Sequence, residues 1–138
     1  MRFLARILAC SLLVLSGAAP AAAAAPEPMS VASFIASPPV SGTHEIIGYV
    51  VGGFICPPCP PDAMCEPCPA DSIYVADKLP AKPMTYETLN RSTLVIETAD
   101  PKRLPFGSRF RLTIEVTQHS SSDRGINDLK LIKAATEK

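Results

Sequence analysis

Apolar and polar positions alternate most strictly over Arg109–Thr117. There Phe110, Leu112, Ile114 and Val116 interleave with Arg109, Arg111, Thr113, Glu115 and Thr117. A period of two puts one set on a buried face and the other in water, so this stretch predicts a β-strand. Residues 44–55 predict an earlier, longer strand, because Ile46, Ile47, Tyr49, Val50, Val51, Phe54 and Ile55 are β-branched or aromatic. Gly48 and the pair Gly52-Gly53 interrupt it, which predicts a bulge or sharp coiling there. Shorter strands are predicted over 72–77 and 93–98. A last one covers 128–134, with Leu129 and Leu131 on one side and Lys130 and Ile132 on the other. Pro80 and Pro83 mark residues 77–92 as a loop, with one helical turn near Thr85–Leu89. Asp100-Pro101, Pro105 and Gly107 mark another turn region, and residues 119–125 read as a polar loop.

Five short strands with no long helix predict an all-β unit, a small five-stranded barrel. Closing such a sheet removes edges that would otherwise template aggregation. The order of strands resembles an OB-fold: a long glycine-bent first strand, then four more, the fourth with the cleanest two-faced pattern. The resemblance covers Glu45 to Ala134. The chain departs from that family in lacking a helix between the third and fourth strands. It also lacks a set of exposed aromatics on the second and third strands, which argues against oligonucleotide binding.

The chain has 138 residues, room for one domain. Its start reads as a secretory leader. Arg2 and Arg6 precede an apolar run from Ile7 to Leu15, and Ala21–Ala25 supplies small residues for cleavage near Ala24. The run is too short to be read as a spanning anchor. Leu8-Ala9-Cys10 loosely resembles a lipobox, but cleavage there leaves a short apolar region broken by Arg6, so Cys10 is read as one more apolar residue. The predicted organisation is a signal peptide over 1–24, a Pro/Ala-rich tether over 25–42 and a β-barrel over 43–135. Val31, Phe34 and Ile35 are the tether residues apolar enough to dock. Pro38-Pro39 disfavour helix after Ser37.

Removing the leader leaves eleven basic against thirteen acidic residues, a slightly acidic chain. With no basic face, no Trp and only eight Phe plus Tyr, nucleic acid is not an expected partner. Removal of Cys10 also leaves four cysteines of five, all between Cys56 and Cys68, with five prolines among them. An even count in an exported chain favours disulfides. Three connectivities are open. The nested one, Cys56–Cys68 with Cys59–Cys65, is suited by Pro60-Pro61-Asp62-Ala63 as the bend, with Pro61 supplying the preset φ of a turn's second position.

Two other chemistries fit the same sulfurs. Two Cys-x-x-Cys knuckles can hold tetrahedral zinc, although a five-residue gap is short for that purpose, and Met64 admits copper(I). Cys56-Pro57-Pro58-Cys59 also looks like the dithiol of thioredoxin-type oxidoreductases. That chemistry needs a helix after the first cysteine to lower its pKa, and the prolines do not continue as one. The stretch from Gly52 through Cys68 to Ile73-Tyr74-Val75 is similar to small exported bacterial proteins of uncharacterised role. That similarity implies a compartment and a β body, and no activity.

The remaining signals are few. Lys102, Arg103, Arg109 and Arg111 cluster in sequence and form a candidate anion or partner patch, against the plainer reading of a solvated face. Asn90-Arg91-Ser92 is a formal glycosylation triplet read as chance. His44 and His119 lie far apart with no nucleophile near them. The expectation is therefore a periplasmic or secreted, non-enzymatic binding module without cofactor. Its partner would be a protein or cell-envelope component, presented to a loop stiffened by Cys56, Cys59, Cys65 and Cys68. Zinc or copper binding and thiol redox chemistry are the alternatives.

Overall fold

The computed structural model describes residues 27–117 and 128–137. The predicted leader with Cys10, and the polar loop containing His119, lie outside those residues. The described residues fold as a mostly β structure, a mixed sheet of six strands where five were expected. They are β1 (Met29–Ser30), β2 (Gly42–Phe54), β3 (Ser72–Ala76), β4 (Leu94–Glu97), β5 (Arg109–Thr117) and β6 (Asp128–Thr136). No helix among the described residues is long and apolar enough to cross a membrane.

The extra strand is β1. It pairs parallel with β2, Met29 against Ile46 and Ser30 against Ile47. It leads directly into α1 (Val31–Ala36), which Ser30 caps by accepting a hydrogen bond from the Ser33 amide. Val31 and Phe34 stand three positions apart on one face of this short helix, and both are buried in the core. Pro38 and Pro39 follow its end at Ser37. A two-residue strand carries no periodicity, so its pairing partner decides it, and that partner lies far along the chain.

The long strand β2 organises the sheet. Over Gly42–Tyr49 it pairs antiparallel with β5, and from Tyr49 to Phe54 it pairs antiparallel with β3. Between Val50 and Gly52 the register with β3 shifts by one residue, a bulge at the glycine pair the sequence singled out. Glycine is needed at Gly52 because a Cβ there would collide with the Met84 carbonyl oxygen. At Gly48 a Cβ would lie 2.9 Å from a Val31 methyl and 2.7 Å from a Val75 methyl, so its absence lets α1 approach β2.

β3 continues antiparallel into β4, β4 touches β6 in parallel at Glu97 and Lys130, and β6 pairs antiparallel with β5. A second register shift falls where Leu131 opposes Ile114 and Lys133 opposes Thr113. Ile132 is the extra residue and lies 56% exposed, while Ala134 beyond it packs against the core. The bulge therefore changes the facing of β6 partway along, which simple alternation from Leu129 does not foresee.

The main core collects Ile46, Val50, Ile73, Val75, Leu112 and Ile114 among its members, and α1 covers it with Val31 and Phe34. A second, smaller cluster lies on the other face of β3. There Val51, Tyr74 and Ala76 pack under Met84 and Leu89. The segment between β3 and β4 thus lies over that face, tied by the Met84 amide donating to the Val51 carbonyl at 2.7 Å. It contains a single 3-10 turn, Tyr86–Thr88, where one helical turn was expected. All five residues of β3 are consequently buried.

Candidate functional site

The cysteine–proline segment connects β2 to β3. Every residue from Ile55 to Ala70 is exposed, so the segment adds nothing to either cluster. It is closed by two disulfides in the nested arrangement, Cys56 with Cys68 and Cys59 with Cys65, with Cα separations of 5.8 and 6.0 Å. Within the inner ring the Ala63 amide donates to the Pro60 carbonyl at 3.1 Å, closing a turn with Pro61 in its second position. Prolines remove amide donors here, so sulfur bridges replace the hydrogen bonds that would zip a hairpin.

The base of the loop is fastened by Asp71. Its carboxylate accepts from the Cys56 amide at 2.8 Å, and its carbonyl accepts from the Thr98 amide at 2.9 Å. One acid thereby ties both ends of the loop to the segment after β4. Asp77 plays a similar part at the far end of β3. Its two carboxylate oxygens accept from the Val31 and Ala32 amides, each at 2.8 Å, and fix the start of α1. Sequence reasoning missed both acids, because an aspartate at a strand end looks like an ordinary solvated turn residue.

The loop surface is chemically uneven. Asp62 and Glu66 are its charged groups, with no Lys or Arg between Ile55 and Ala70. Met64 is fully exposed in the inner ring. At the loop's foot lies a cleft of about 280 Å³ between the end of β2 and the turn after β4. Ile55, Ile73, Leu104 and Phe106 line it, with Lys102 as the charged lining residue. Leu104 is buried into the core, whereas Ile55 and Phe106 are 45% and 40% exposed.

The four cations of the candidate patch have different surroundings. Arg103 pairs with Asp100 at 3.1 Å, and Arg109 stands over the Tyr49 ring at 5.7 Å. Arg111 pairs with Glu137 at 2.7 Å and reaches Glu45 at 4.0 Å. The hydrogen bond that Arg111 donates to Glu137, with the charges of Glu137 and Glu45, raises its guanidinium further above its ordinary range. Lys102 makes no ion pair among the described residues. His44 packs edge-on to Phe34, its Nε2 3.0 Å from the Ser41 carbonyl, at the start of β2. Asn90 of the formal glycosylation triplet accepts from the Ser92 amide and the Ser92 and Thr93 hydroxyls, so its side chain shapes the turn into β4.

The pairing also bears on the other sulfur chemistries. Neither Cys-x-x-Cys pair is itself a disulfide, since Cys56 bonds Cys68 and not Cys59. The loop carries no helix to stabilise a thiolate. A four-thiolate metal site would require both bonds to be reduced first. Among the described residues no group of three or more His, Cys, Asp or Glu is arranged to hold a metal ion. Comparison of the chain with family models, curated proteins and solved structures returns no match.

Proposed function

We propose that this chain is an exported, non-enzymatic binding module whose cysteine–proline loop is the recognition element for a protein or cell-envelope component. The observation that carries the reading is the cost of the loop's stiffness. Two disulfides and five prolines rigidify a segment whose residues are all exposed. Rigidity that contributes nothing to the core instead lowers the entropy lost when the segment meets a partner. Recognition loops on stiff scaffolds follow that logic.

On this reading the scaffold is a small barrel of OB-like order. The support is the chain of pairings from β2 through β3, β4, β6 and β5, with β5 also pairing with β2. Leu104, just after the 3-10 turn Pro101–Arg103, is buried in the main core that this sheet encloses on such a reading. Export is supported by the leader-like start and by bonds that persist in oxidising compartments.

The test uses chain purified from the periplasm without reductant. Four free thiols there would remove the premise. Oxidised chain immobilised against an envelope fraction should retain a partner. A variant with residues 57–67 replaced by Gly and Ser should lose it while keeping its β circular dichroism. Capture that survives loop replacement overturns the proposal.

A further inference from the structure

The cleft at the foot of the loop and the tip of the loop are complementary surfaces on one chain. We infer that the cleft receives the Met64 tip of the loop of a second copy, a step that rests on the loop being the recognition element.

Three observations support this occupant. The first is shape and polarity. The cleft is apolar, and its roughly 280 Å³ is smaller than the pockets that enclose drug-sized ligands, so it suits a protruding side chain. Met64 is such a side chain, fully exposed and unbranched, able to adapt to an irregular slot. The second is charge. Lys102 lines the cleft without an ion pair among the described residues, and the tip brings Asp62 and Glu66 with no cation to repel it. The third is exposed apolar surface at the receiving site. Ile55 and Phe106 flank the cleft, and Leu79, 47% exposed, lies beside Gly107. Contiguous exposed apolar residues with a polar rim mark interaction surfaces. In a two-fold pair each copy gives one loop and receives one, which closes the assembly.

The test replaces Met64 with photo-methionine in oxidised, purified chain, mixed with an equal amount of 15N-labelled chain carrying ordinary methionine. After irradiation, mass spectrometry separates bonds within a chain from bonds between chains. The expected result is a photo-methionine to 15N-chain link mapping to Ile55, Leu104 or Phe106. Lys102→Glu in the receiving chain should lower its yield about tenfold, in the range of a lost close charge pair. Asp62→Lys with Glu66→Lys in the donating chain should restore it. Circular dichroism of each variant checks that the sheet is intact.

No link between chains up to about millimolar concentration overturns the inference, as do links confined within one chain or scattered outside the cleft. The same photo-probe in an envelope extract separates the two readings. Capture of a foreign protein in place of a second copy sinks self-docking and leaves the loop as a recognition element. Capture of neither sinks both.

Discussion

Tyr74 shows how one buried side chain couples this fold to pH. It is 1% exposed under the β3–β4 segment. Burial raises its phenol above the ordinary value of 10.0, with further upward pushes from Tyr86 and Glu87, against a lowering hydrogen bond to Ser72. The unfolded chain therefore releases this proton first as pH rises. The contribution is fully present below about pH 10 and is lost as pH climbs through the raised folded value. Tyr74→Phe should remove part of the alkaline fall in urea stability, and curves for the two proteins that stay parallel above pH 10 would contradict it. The fate of such residues was only partly legible. Tyr74 reads as a strand residue, but its burial on the second face depends on Met84 and Leu89 arriving from a loop. Asp71 and Asp77 were illegible because their partners are amides 15 and 46 positions away in sequence.

Elements were more legible than residues. The strands β2 to β6 sit close to their expected places, because β-branched runs and period-two alternation report a buried face directly. The failures have local causes. β1 is too short to carry a pattern, and the bulge at Ile132 shifts the alternation of β6 beyond it, so that Ala134 rather than Lys133 packs against the core. The two disulfides should also separate as elements. Cys56–Cys68 closes the connection between β2 and β3, which the folded sheet closes anyway, so the bond chiefly restrains the unfolded chain. Losing it through Cys56→Ser with Cys68→Ser should cost up to about 3 kcal/mol, the closure entropy of a ring near thirteen residues. Cys59–Cys65 restrains a tip that touches no core residue. Cutting it frees the same segment in both states, so Cys59→Ser with Cys65→Ser should cost under about 1 kcal/mol. Urea melts of the two double variants check the order, and equal losses would show that the inner ring supports the sheet.

At the scale of the molecule, the strands are unevenly joined. β2 and β5 are paired over eight positions, whereas β4 and β6 meet at one, Glu97 with Lys130. Local opening follows the density of such bonds. Amide exchange should therefore be slowest in the β2–β5 ladder and fastest at the β4–β6 seam. Uniform protection around the sheet would mean that side-chain packing across the seam, from Leu94, Ile96 and Leu129, outweighs its single pairing. The nested sulfur connectivity was open among three choices from spacing alone, and the turn at Pro60–Ala63 was the one local clue to it. The cleft was invisible in sequence, since its walls come from the end of β2 and from a turn some fifty residues later.

The two concentric bridges have one more consequence, which concerns endopeptidases. Hydrolysis of any peptide bond between Cys59 and Cys65 would leave both new ends attached through sulfur. The product would be a nicked molecule of one piece, eighteen mass units heavier by the added water, with its sheet undisturbed. A chain sent among digestive enzymes would thus carry a wholly exposed segment in a form that survives being cut.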